Sequence, residues 1–83
     1  MAAIEWSPKA REFLRKLPKN VANRIFTKVD AEIRLNPRRY LEPLVGIDAK
    51  KIRVGHYRLF VDYDGEHLVI LAIRHRRDAY KNH

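Results

Sequence analysis

Apolar positions along the chain keep two different periods. Between residues 8 and 33 they recur every three or four places: Ala10, Phe13, Leu14 and Leu17, then Val21, Ala22, Ile25, Phe26, Val29 and Ile33. That spacing predicts two helices with one buried stripe each, and Lys9, Arg11, Arg15 and Lys16 fill the outer side of the first. Ser7 followed by Pro8 marks its start, because a serine hydroxyl accepts from a free N–H of the first turn and proline has none to satisfy. Pro18 closes the first helix and opens the second. The second ends before Asn36-Pro37, since the residue ahead of a proline is pushed out of helical geometry. Ahead of this helical hairpin, residues 2 to 6 ("AAIEW") make a short apolar stretch suited to a strand.

Past residue 50 the period drops to two. Ile52 and Val54 alternate with Lys51 and Arg53, Gly55 and His56 turn the chain, "YRLFVDY" runs to a second turn at Asp64-Gly65, and "HLVILAIR" completes the hairpin. In between, residues 38 to 49 ("RRYLEPLVGIDA") carry Pro43 and Gly46 and read as a loop crossing from helices to sheet. The expected architecture is α+β: an N-terminal strand and a helical hairpin packed on a small antiparallel β-sheet, here a three-stranded meander with the helices on one face. With 83 residues, one domain spanning positions 1 to 83 is expected.

The alternation gives the predicted sheet an apolar side and a cationic side. Lys51 and Arg53 share one side, opposite Ile52 and Val54. Arg58 follows the turn closely enough to join them if the strands pair tightly. The last strand ends at Arg74, followed by His75, Arg76, Arg77 and, past Asp78, Tyr80. Like charges gathered this way cost free energy, and a fold tolerates them most readily when an anion sits among them. Glu42, Asp48, Asp62 and Asp78 are the acids that could neutralise them instead. Over the whole chain 18 Lys and Arg face 10 Asp and Glu, a formal charge of +8. That balance attracts polyanions or acidic proteins. Combined with an apolar helical face, it suggests an acidic partner whose helix or strand orders as it binds along the protein.

Other chemistries are set aside by what is missing. The chain has no cysteine, which excludes a disulfide framework and thiolate metal ligands, and no histidine spacing suggests a metal site or a cofactor. The opening "MAAIEWSPKAREF" lacks a long apolar run, so neither a signal peptide nor a membrane span is expected there, and a cytoplasmic location is. His56 and His75 fall near the strand ends where the cations gather, and a histidine pair is a familiar acid and base for RNA cleavage. His67 and His83 read as surface residues. Phe13, Phe26 and Phe60 are assigned to the core, with Trp6 as its cap, and Tyr57 and Tyr63 to sheet packing. Tyr40 belongs to the connection, open to packing or RNA contact, whereas Tyr80 has little core left to join.

Taken together, "NPRRY" ahead of the loop, "KKIRVGHYRLFVDY", the acidic-glycine turn, and the terminal "LVILAIRHRRDAY" behind two amphipathic helices resemble the RelE/ParE superfamily of toxins, its RelE branch in particular. The resemblance covers almost the whole chain. It implies a microbial ribonuclease-like fold and a ribosome-dependent endoribonuclease that cuts mRNA in the decoding site. It also implies an acidic RelB-type antitoxin, bound as a heterodimer or heterotetramer, that holds the toxin inactive. By the same resemblance Lys51 and Arg53 fill two basic positions of the family's basic strand, and Arg58 that of a phosphate-stabilising arginine. Arg74 fills the position of a catalytic arginine, and Tyr80 that of a terminal tyrosine that stacks on or orients a base. His75, Arg76 and Arg77 are expected to touch substrate.

Cleavage by a ribose 2′-hydroxyl needs a proton acceptor, a proton donor for the leaving oxygen and positive charge around the developing phosphorane. Lysine and arginine supply the last directly. Better known bacterial RelE proteins carry a lysine where this chain has Arg53, and a guanidinium cannot act as a base. Two readings therefore stand. Lys51 becomes the base, helped by neighbouring cations that disfavour its charged form, or the cations act electrostatically and position the 2′-hydroxyl for in-line attack. Two further functions compete: a ParE-like toxin that binds DNA gyrase, whose members generally lack the full set of Lys51, Arg58, Arg74 and Tyr80 equivalents, and a non-catalytic RNA-binding module.

Overall fold

The first helix begins where Ser7 and Pro8 predict. The computed structural model describes residues 1 to 44 and 47 to 79, with Leu44, Ile47, Asp48, Ala49, Asp78 and Ala79 described in backbone only. Strand β1 (Ala3–Trp6) leads into α1 (Pro8–Arg15), and Ser7 Oγ accepts from the Ala10 N–H at 3.0 Å. Pro18 then sits at the start of α2 (Lys19–Ala31). The helical pattern up to Ile33 is not all α-helix: the chain tightens into a 3-10 turn at Ile33–Leu35, which keeps Ile33 fully buried. Such tightening is common where a helix ends.

Residues 38 to 49, expected as loop, hold more structure than that. A second 3-10 turn, Pro37–Arg39, is followed by β2 (Leu41–Leu44), which pairs antiparallel with β3 (Ile47–Val54) through Leu41↔Ile52 and Glu42↔Lys51. Pro43 signals a loop in sequence because it cannot donate to a ladder, but β2 is the outermost strand, where a missing N–H is tolerated. Strands β4 (Tyr57–Tyr63) and β5 (His67–His75) complete a five-stranded sheet in the order β1-β5-β4-β3-β2. The meander therefore has four antiparallel strands, and β1 adds a fifth, parallel to β5, through Ala3↔His67 and Trp6↔Ile70. The fold is α+β as predicted, on a mixed sheet. A last short helix, α3 (Arg76–Ala79), is absent from the sequence expectation.

The two hairpin turns follow their residues. Gly55 has φ +59° and no described non-glycine residue has positive φ, so Gly55-His56 forms a type II′ turn with glycine in the place that requires it. In the second turn the Asp64 carboxylate accepts from the backbone N–H of His67 (2.7 Å) and of Glu66 (2.8 Å), and its other oxygen lies 3.2 Å from His67 Nδ1. These donors, the His67 N–H first, hold the carboxyl down at about 2.

One face of the sheet is sealed. Ile52 and Val54 of β3, Leu59 and Val61 of β4, and Leu68, Ile70 and Ile73 of β5 pack with Ala10, Ile25, Val29 and Ile33, none more than 5% exposed. Burying an isoleucine or leucine fully is worth about 1.5–3 kcal/mol relative to leaving it exposed, and this holds both helices on that side. Strand β5 contains an irregularity that matters for the other face. Ile70 pairs with Val61 and Ala72 with Phe60, leaving Leu71 as an extra residue. That bulge reverses the alternation, so the buried positions are Leu68 and Ile70 before it and Ile73 after it.

Candidate functional site

The face of the sheet opposite the core carries a row of arginines. Arg53 of β3 lies directly across from Arg58 of β4, and Arg58 directly across from Arg74 of β5. Each alternates with a buried neighbour (Val54, Leu59, Ile73), so all three rise from the same side. Neighbouring strands are about 4.8 Å apart, which places three guanidinium stems within about 10 Å. In the next row Lys51 pairs with Phe60, and Phe60 with Ala72. Lys51, Arg58 and Arg74 are half-buried and Arg53 is exposed. Like charges directly opposite each other destabilise a sheet, so the row is unfavourable unless something compensates it.

Among the described side chains, the carboxylate of Glu42 approaches the row. Arg53 Nη2 lies 3.8 Å from Glu42 Oε1 with both side chains about half exposed (58% and 44%), a geometry that contributes little in water. Asp62 shares this face but sits opposite Val69, beyond the Phe60 row. Arg58 has a further interaction of its own. The side chains of Asp48 and Asp78 lie outside the described residues, as does Tyr80 entirely.

The remaining predicted substrate contacts do not join the row. His75 follows Arg74 directly and therefore faces the opposite way, paired with Tyr57. Its ring meets Tyr57 edge-on at 5.1 Å and lies near-parallel to His56 at 6.3 Å. Its Nδ1 accepts the Arg77 N–H at 3.1 Å, and the Arg76 N–H donates to the His56 carbonyl at 2.6 Å. His56, His75, Arg76 and Arg77 line an open cleft of about 370 Å³. A second cleft of about 230 Å³ adjoins it between α2 and the Gly55 turn and brings in Arg24, which the sequence pattern did not single out. The cationic residues thus divide: Lys51, Arg53, Arg58 and Arg74 on the bare face, and His75, Arg76 and Arg77 around clefts that none of those four lines.

Two aromatic assignments change. Phe60, assigned to the core, alternates with the buried Leu59 and Val61 and stands on the bare face, half-buried. Its spacing of two from Arg58 was the signal for this. Phe26 is 48% exposed and stacks on Trp6 at 5.9 Å, forming a surface pair on the helical side. Tyr57 and Tyr63 pack against the core as expected, and so does Tyr40, with Lys28 Nζ 5.3 Å from its ring centre. Among the described residues no three His, Asp or Glu side chains gather as a metal site needs, and no helix is long and apolar enough to cross a membrane.

Comparison with known proteins matches this arrangement to one group. A family model described as the ParE toxin of type II toxin–antitoxin systems, parDE, matches residues 4–80. Among solved structures, a chain of the RelBE2 toxin–antitoxin complex from Mycobacterium tuberculosis is 26% identical, with a TM-score of 0.83, over 90% of this chain and 98% of that one. In the RelB–RelE antitoxin–toxin complex from Methanococcus jannaschii a chain is 19% identical, TM-score 0.70, over 95% and 98%. One from the intact RelBE complex of E. coli is 22% identical, TM-score 0.68, over 88% and 94%. No curated protein matches the chain significantly.

Proposed function

Because the chain belongs to the ParE toxin family of type II toxin–antitoxin systems, within the RelE/ParE superfamily, we propose that this toxin is an endoribonuclease that cleaves mRNA in the ribosomal A site and so stops translation. The observation that carries this reading is the register that lines up Arg53, Arg58 and Arg74, with Lys51 one row away, on the face of the sheet opposite the core. A phosphodiester laid along the row meets several cations at once, and its charge offsets their mutual repulsion. The 2′-hydroxyl attacks the adjacent phosphorus, the 5′-oxygen leaves, and a 2′,3′-cyclic phosphate and a 5′-hydroxyl result. Arg58 and Arg74 stabilise the charge that grows on the non-bridging oxygens. Lys51 is the group in reach that can exchange a proton, and Arg53, always protonated, adds charge only. Tyr80 orients a base by the family resemblance. The similarity to chains solved in RelB–RelE complexes, the +8 charge and the exposed Phe26 stacked on Trp6 support an acidic RelB-type antitoxin as partner. A cytoplasmic protein acting on the ribosome follows from this reading.

The test is cleavage in a translating extract. Wild-type protein should break messages at codons in the decoding site and leave 2′,3′-cyclic ends. Arg74→Ala and Lys51→Ala should each lower the rate about 100-fold or more with circular dichroism unchanged, the range seen when a transition-state donor is removed. Arg53→Lys, assayed beside them, shows whether a lysine there raises the rate. Intact message at stoichiometric toxin ends the nuclease proposal. The matching family model favours a second reading, a ParE-like toxin that binds DNA gyrase. Inhibition of gyrase supercoiling with message left whole would select it.

A further inference from the structure

We propose that Phe60 is a base-stacking platform beside the arginine row and that it favours a purine at the nucleotide it receives. This rests on the nuclease reading and extends it from the phosphate to the base. Three observations lead to it. Phe60 sits on the bare face by strict alternation with Leu59 and Val61, both fully buried on the other side. Its cross-strand neighbours are Lys51 on β3 and Ala72 on β5, and Arg58 lies two residues before it on the same face. It is half-buried, so part of the residue remains in contact with solvent, with Arg58 and Asp62 two residues to either side along the same strand.

On this face the ring lies among its strand neighbours and outside the core cluster. The helices and the core occupy the far side of the sheet, and the residue directly across on β5 is the small Ala72, which leaves room beside the ring. Rings flanked by cations are the arrangement that binds single-stranded RNA: guanidinium and ammonium groups hold the phosphates while a base lies on the ring. Along one strand of RNA a base is displaced from its own phosphate by several ångströms, comparable to the single-row offset between Phe60 and the Arg53–Arg58–Arg74 row. A purine overlaps a six-membered ring more fully than a pyrimidine does, and stacking strength is a recognised source of modest base preference.

The experiment places an indole at the position and asks whether a base reaches it. In the full chain carrying Trp6→Phe together with Phe60→Trp, the only tryptophan is the one introduced. It is titrated with a purine-containing RNA hexamer, with a pyrimidine hexamer, and with a ribose-phosphate hexamer lacking bases. The expected result is strong quenching by the purine RNA, weaker quenching by the pyrimidine RNA, and none by the abasic oligomer, although all three bind by anisotropy. Equal emission changes with all three overturn the platform while leaving phosphate binding by the row intact. Failure of every oligomer to bind overturns the RNA reading itself. In the cleavage assay Phe60→Leu should raise KM about 5- to 100-fold, the span of one base–aromatic stack, while Phe60→Tyr stays near wild type. Cleavage by Phe60→Leu at wild-type KM also overturns the proposal.

Discussion

Asp64 shows how much one side chain settles in a turn. Its carboxylate gathers two backbone N–H groups and approaches the His67 ring, and its pKa falls to about 2. A carboxyl held lower in the folded protein than in the unfolded chain stabilises the fold above its ordinary value of about 4, and that contribution fades as the pH drops toward about 2. Asp64→Asn keeps an oxygen acceptor but does not titrate. Thermal melts followed by circular dichroism should therefore show the wild type losing more stability between pH 4 and pH 2 than the variant does. Parallel curves would remove Asp64 from the account of acid sensitivity. At this scale much was legible in sequence: the Ser7 cap, the Gly55 turn and the apolar partners of Lys51 and Arg53 all follow from residue type and spacing. Phe60 was misjudged because hydrophobicity stood in for direction. A strand sends Phe60 out with Arg58, and His75 away from Arg74.

Among the elements, β5 is where counting fails. Strict alternation along "HLVILAIR" puts Leu68, Ile70, Ala72 and Arg74 on one side, which would bury Arg74. The extra residue at Leu71 reverses the order and returns Arg74 to the row. Only the pairing with β4 reveals this, so the sequence pattern alone could not. The bulge is tied to α1 through Ser7, whose Oγ donates to the Leu71 carbonyl at 2.7 Å while accepting from the Ala10 N–H, and whose N–H donates to the Ile70 carbonyl at 2.9 Å. Ser7→Ala removes the cap and the link to the bulge together. It should lower unfolding stability by about 1–2 kcal/mol in urea with an unchanged m-value. An unshifted midpoint would mean that the helix start and the bulge are held by packing alone. Strand β2 was hidden for a different reason: Pro43 obeys the rule for edge strands, and which strand forms an edge is a property of the assembled sheet.

Across the whole molecule, the helices and core take one side of the sheet and the cations take much of the other, so binding to RNA should depend steeply on salt. With Lys51, Arg53, Arg58 and Arg74 each replacing a counterion on single-stranded RNA, a plot of log K against log salt should slope by about −3, and Arg74→Gln should flatten it by about 0.7. Equal slopes for the two proteins would take Arg74 off the phosphate path. The order of strands has another consequence, one of timing. Strand β1 is made first but finds its neighbour in β5, with Ser7 and Leu71 joined across 64 residues. Nearly the whole described chain must leave the ribosome before the sheet can close, and contacts this distant in sequence form slowly. Arg74 arrives with β5, so a growing chain has no complete arginine row until that strand has emerged.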